Sequence, residues 1–188
     1  SDEVYRHLNF DSDEIFSIAT LPGMKERTLI IDSVSKSFAM TGFRVGFATG
    51  PVHLIELMTK CVENVYSAVA TPSQYAALVA FDKGMEAMMA MKKEYKKRRD
   101  FLVSRINEMD KISCIMPKGA FYVFANIKKT GLSAEEFAER LLEKEHVAVI
   151  PGSNFSKNAS GYVRISYGTS MEKIEDGLNR MERFLKSL

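Results

Sequence analysis

The stretch Ser33-Val34-Ser35-Lys36-Ser37-Phe38-Ala39-Met40-Thr41-Gly42-Phe43-Arg44-Val45-Gly46 is the part of the chain best equipped for chemistry. It gathers several hydroxyls, one primary amine and one guanidinium in a loop that also carries glycine. Those groups suit an anion, most simply a phosphate. The loop follows the apolar run Thr28-Leu29-Ile30-Ile31-Asp32-Ser33, which reads as a buried strand of a parallel sheet. A loop at the carboxyl end of such a strand is where open α/β sheets place their ligands. A lysine in a serine-rich loop carries little information alone; the complete string carries much more.

The elements that must position this loop can be read on either side of it. Val45-Gly46-Phe47-Ala48-Thr49-Gly50-Pro51 reads as a second strand, stopped by Gly-Pro. From Val52 to about Val65, Leu54, Ile55, Leu57, Met58 and Cys61 recur at helical spacing. A second helix starts at Thr71-Pro72-Ser73, with Thr71 as its cap. It carries Tyr75, Leu78, Val79 and Phe81 before Gly84 interrupts it. A long helix follows from Met85 to about Met109, and its middle, Lys92 to Asp100, is densely charged and reads as a solvated face.

Beyond that helix the pattern changes. Ile112 to Met116 and Ala120 to Ile127 read as a hairpin around Pro117-Lys118-Gly119. Ser133 and Glu136 form a capping box before a helix whose apolar face is Phe137, Leu141 and Leu142. Val147 to Ile150 and Tyr162 to Tyr167 read as strands. Ser170 caps a last helix bearing Ile174, Leu178, Met181 and Leu185. The boundary is expected inside the long helix, giving regions 1–90 and 91–188. The second is a complete small α+β unit. The first is incomplete, because parallel strands need cover on both faces and neighbours on both sides.

Composition narrows the class. The 188 residues are 46% hydrophobic and 27% charged, with 26 Lys plus Arg against 24 Asp plus Glu. A net charge of +2 and the absence of a basic stripe argue against nucleic acid as a partner. No apolar run approaches the roughly 20 residues that span a bilayer. Cys61 and Cys114 lack metal-ligand spacing and read as reduced, mostly buried thiols of a cytoplasmic protein. His7, His53 and His146 show no ligand spacing either, so no metal site is expected.

The string from Ser33 to Gly46 resembles the lysine motif of class I/II aminotransferases, enzymes of fold type I that depend on pyridoxal 5'-phosphate (PLP). The family pattern of Ser-x-x-Lys followed by Gly-aromatic-Arg-x-Gly is met by Ser33, Lys36, Gly42, Phe43, Arg44 and Gly46. Upstream, Asp2-Glu3-Val4-Tyr5 resembles the family's Asp-x-x-Tyr. Downstream, Pro117-Lys118-Gly119-Ala120-Phe121-Tyr122, Pro151-Gly152-Ser153-Asn154-Phe155 and Tyr162-Val163-Arg164-Ile165-Ser166-Tyr167 are similar to three further family segments. Ser156 stands where the family often has glycine. The resemblance covers essentially the whole chain.

It implies an α/β fold: the C-terminal part of the fold-type-I large domain plus the small C-terminal domain. It implies that Lys36 carries PLP as a Schiff base and exchanges a proton at the substrate Cα. Asp2 would pair with the pyridine nitrogen, Tyr5 with the ring oxygen, and Ser33 and Arg44 with the phosphate. Arg164 would take the substrate carboxylate. The implied reaction moves an amino group from an α-amino acid to a 2-oxo acid by a ping-pong route. The family's site lies at a homodimer interface and uses groups N-terminal to Asp2, so this chain is expected to be a fragment with little activity of its own. A lyase of the same fold, and a non-catalytic aminotransferase-like domain, are the alternatives.

Overall fold

A computed structural model describes residues 1–12 and 14–188. They form two compact units, Ser1–Lys92 and Lys93–Leu188.

In the first unit, strand β1 (Ile30–Ser33) runs straight into the short helix α1 (Val34–Ser37). Strand β2 (Gly46–Thr49) returns beside β1, antiparallel, with Ile30 opposite Thr49 and Ser33 opposite Gly46. Among the described residues the expectation of a parallel sheet is met only on the other edge of β1, where Asp2 bridges Ile31 in the parallel sense. There the Glu3 N–H donates to the Ile31 carbonyl at 2.8 Å and the Ile31 N–H to the Ser1 carbonyl at 2.9 Å. Helix α2 (Val52–Val65) follows β2 at the bounds its apolar spacing predicts. Helix α3 (Thr71–Lys83) is capped by Ala70 rather than Thr71, with no side-chain bond, because Thr71 has already entered the first turn beside Pro72. The ring of Phe81 on α3 meets Phe38 edge-on at 5.6 Å and Phe47 at 5.7 Å, tying the segment after α1 and the strand β2 to one helix.

Helix α4 (Met85–Glu108) continues into the second unit. Its charged middle is not uniformly solvated. Arg99 is 4% exposed; its guanidinium donates to the Pro117 carbonyl at 2.9 Å and pairs with Asp100 at 2.7 Å. A four-stranded antiparallel sheet, in the order β3-β4-β6-β5, forms the centre of this unit. Its strands are β3 (Ser113–Cys114), β4 (Tyr122–Asn126), β5 (Ile150–Pro151) and β6 (Tyr162–Ser166). Both β3 and β5 are shorter than their apolar runs suggest, and Val149 is buried without joining the ladder.

Helix α5 (Ala134–Glu145) packs on β5 and β6 and on helix α6 (Met171–Lys186). Strand alternation sends Val123, Ala125 and Val163 into the core with Phe137, Leu141, Leu178, Met181 and Phe184. The capping box at Ser133 and Glu136 is formed in full. Leu142 is exposed, so the apolar face of α5 is narrower than its sequence implies.

Candidate active site

Three strand ends bring the first group of candidates together. Asp2 sits beside Ile31 on one edge of β1, Ser33 ends β1, and Gly46 faces Ser33 from β2. The chain between them makes two tight manoeuvres. Ser33 caps α1, its Oγ accepting from the Ser35 N–H at 3.3 Å, and Lys36 lies in the single turn that this cap starts. A 3₁₀ turn, Thr41–Phe43, then leads to Arg44. Ala39 and Arg44 both hold positive φ, at 54° and 56°. A left-handed conformation at a residue other than glycine costs about 1–2 kcal/mol. Backbone strain of this kind concentrates at ligand sites.

The Lys36 Nζ lies 5.9 Å from the centre of the Tyr5 ring, so the amine and the phenol share one locality. Asp2 is exposed, and its Oδ1 accepts from the Val4 N–H at 3.2 Å, which sets the turn leading to Tyr5. Behind this turn Arg6 lies 3.7 Å from Asp32 and 3.9 Å from Glu3, and the Ser17 hydroxyl donates to Glu3 at 2.6 Å. Burial raises the Asp32 carboxyl above its ordinary range, and the bond from Ser33 N–H and the charge of Arg6 offset only part of that. Arg44 is exposed and donates to the Thr41 carbonyl at 2.8 Å.

An open groove of about 1210 Å³ borders Ser33, Gly42 and Arg44, with walls from β2 and from α2 to the start of α3. Asp2, Tyr5 and Lys36 do not line it. Ser33 and Arg44 line the groove together with Val4 and Ile31, Asp2 bridges that same Ile31, and Lys36 lies near Tyr5.

Arg164 belongs to the second unit. It lies on β6 opposite Phe124 of β4 and Ile150 of β5. Its Cζ stands over two rings, 4.4 Å from the centre of Tyr122 and 4.5 Å from that of Phe155. Among the described residues its guanidinium makes no ion pair and no hydrogen bond. The strings containing Tyr122 and Phe155 stand out in the sequence, but the sequence reading gives those rings no role. The period of the strand could have supplied one, because Tyr122, Phe124 and Arg164 must share a sheet face.

No group of described residues has the makings of a metal site, and no helix among them is long and apolar enough to cross a membrane. Cys61 is exposed rather than buried.

The comparisons agree over nearly the full chain. The family model described as "Aminotransferase class I and II" matches residues 1–181. An aspartate aminotransferase of Pyrococcus abyssi is 46% identical over 99% of this chain and 48% of its own length. Aromatic-amino-acid aminotransferase 2 of Thermococcus litoralis is 44% identical over 99% of this chain and 48% of its own length. The crystal structure of an aromatic aminotransferase from Pyrococcus horikoshii superposes with a TM-score of 0.95 at 46% identity, over 100% of this chain and 50% of that one. The chain thus spans about half the length of the relatives it matches. The fold is the C-terminal part of fold type I, as in an aspartate aminotransferase from Rhizobium meliloti, which superposes with a TM-score of 0.91 at 34% identity. From residue 1 to residue 181, this chain belongs to the class I and II aminotransferases.

Proposed function

We propose that this chain carries the lysine and the substrate arginine of a PLP-dependent aminotransferase. The observation that carries the reading is that Lys36 lies beside Tyr5, on the turn that follows β1, the strand that Asp2 bridges at Ile31. The donor set suits the cofactor: an amine for an aldehyde, a carboxylate for a pyridine nitrogen, a phenol for a ring oxygen, and a hydroxyl with a guanidinium for a phosphate. Lys36, Asp2, Tyr5, Ser33 and Arg44 are the residues that would hold it. PLP, when bound, supplies the electron sink for a carbanion at the substrate Cα.

The side chains of this protein do the rest. Asp2 would keep a proton on the cofactor's pyridine nitrogen, which an amide in its place could not do. Lys36 Nζ takes the proton from Cα and serves as the general base. Ser33 and Arg44 anchor an anion, and Arg164 receives the α-carboxylate through the planar fork that lysine lacks. Substrates are an α-amino acid and a 2-oxo acid, consumed in alternation, so double-reciprocal plots at several concentrations of the second should be parallel. The same reading makes the native-length protein a cytoplasmic homodimer.

The deciding measurement is the visible absorbance of the native-length protein with PLP, beside a Lys36→Ala variant. A band that requires Lys36 supports the reading. An identical spectrum in both proteins would remove Lys36 from its role.

A further inference from the structure

We propose that Tyr122 and Phe155 are positioning residues that clamp the Arg164 guanidinium, so that it meets a carboxylate already ordered. The inference rests on the reading of Arg164 as the carboxylate receptor.

The two rings come from separate segments and converge on one cation. Register places Tyr122 opposite Ser166, two residues along β6 from Arg164 and on the same face. Phe155 arrives from the turn after β5. Each ring is itself held. Tyr122 packs on Phe121 at 4.7 Å, and the Phe121 carbonyl accepts from the Tyr167 N–H at 2.9 Å. Tyr167 is fully buried, and its hydroxyl donates to the Ala120 carbonyl at 3.1 Å. On the other side the Phe155 N–H closes the turn onto the Gly152 carbonyl at 2.9 Å, and the Phe155 ring meets Phe124 edge-on at 6.1 Å. A side chain at Gly152 would put its Cβ 2.3 Å from the Ala159 carbonyl oxygen, so this turn admits only glycine.

A ring face attracts a cation without accepting its N–H groups as a carboxylate would. The guanidinium of Arg164 is therefore restrained while its donors stay available. Arg105, Arg180 and Arg183 of the same unit differ, because they engage carboxylates, and Arg140 stands over a single ring, that of Phe184, at 5.9 Å. Immobilising a long side chain during binding weakens affinity by about two- to tenfold, and the clamp moves that cost into folding.

The test uses the native-length, PLP-loaded protein with 3-phenylpropionate as a carboxylate probe, followed by calorimetry. Tyr122→Leu and Phe155→Leu should each weaken binding about two- to tenfold, while Tyr122→Phe and Phe155→Tyr stay within about twofold of the parent. With an amino acid substrate, the leucine variants should raise KM and leave kcat nearly unchanged. The Arg164 Nε–Hε proton resonance should lose its ring-current displacement in the leucine variants before any probe is added, a readout that general loosening of the fold would not mimic in the ring-conserving pair. Leucine variants that bind like the parent, or ring-conserving variants that lose as much as leucine, overturn the clamp. Full affinity in Arg164→Lys overturns the reading of Arg164 itself, and the clamp with it. Loss of affinity in Arg164→Lys with silent ring variants overturns the clamp alone.

Discussion

The two units handle apolar surface in opposite ways. In the second, Val123, Ala125 and Val163 on one sheet face are buried, as are Phe137, Leu141, Leu178 and Phe184 of α5 and α6. In the first, the buried apolar side chains are few: Leu8, Phe10, Val34, Ala77 and Met88. Helices α2 and α3 leave Val52, Leu57, Val65, Tyr75, Leu78 and Val79 exposed. Local pattern explains both. Helix α6 is amphipathic with a single stripe, whereas α3 has apolar side chains around much of its circumference and needs cover on more than one side. Arg164 stands on the sheet face opposite that core, over the rings of Tyr122 and Phe155; strand ends, a cap and an aromatic contact fix Lys36.

Four measurements test this contrast. The largest effect belongs to the closed core. Phe137→Ala removes a fully buried ring that meets Phe184 edge-on at 5.3 Å, and should cost about 3–5 kcal/mol in chemical denaturation. Its counterpart Leu78→Ala, at a side chain 63% exposed, should stay within about 0.5 kcal/mol in this chain. Equal losses would show that something covers Leu78.

Arg99→Ala comes next. It strips the buried guanidinium from the Pro117 carbonyl and should cost about 1.5–3 kcal/mol, the range for hydrogen bonds to charged groups. A neutral outcome would make the contact ornamental. Ser133→Ala should follow at about 1 kcal/mol, the usual value of an N-cap, read from the same denaturation curves.

The finest comparison is in acid. Burial raises the Asp32 carboxyl in the first unit. A carboxyl raised by folding adds stability that is complete below its unfolded value and is lost as pH rises through its folded value. In the second unit, Glu136 is held low by the Ser133 N–H and hydroxyl, Glu135 by the Ser153 hydroxyl, and Glu182 by Lys186. Those groups add stability above the ordinary carboxyl range that is lost as pH falls through their folded values. His7, lowered by burial, also loses its contribution on acidification, but higher on the scale, below its ordinary 6.5. Carbon-13 titration of the carboxyls should therefore move Asp32 and Glu136 in opposite directions from the unfolded value. Shifts of the same sign would remove the contrast.

Where short-range physics governed, the sequence was legible. The apolar spacing of α2 predicts both ends of that helix, and the capping box at Ser133 and Glu136 forms as read. The resemblance carried on Ser33, Lys36, Gly42 and Arg44 leads to the family that the comparisons show. Partner-dependent features were less visible. The Ile112 and Val147 runs read as full strands, yet only two residues of each region enter the ladder, although β4 and β6 both run on beyond them. Arg99 hides within a charged run whose composition argues for solvent, and only the fold brings the Pro117 carbonyl to it. The convergence of Tyr122 and Phe155 on Arg164 needs the β4–β6 register and the turn at Gly152 together, and neither is written in one segment.

The two thiols carry a practical consequence. Burial pushes the Cys114 thiol up to about 11, so at neutral pH almost none of it is in the nucleophilic thiolate form. Cys61 lies exposed on α2, among the uncovered apolar side chains. A maleimide dye should therefore modify the folded chain once and the denatured chain twice. A fluorophore at Cys61 would become an optical gauge of whatever settles on α2, installed without changing a single codon.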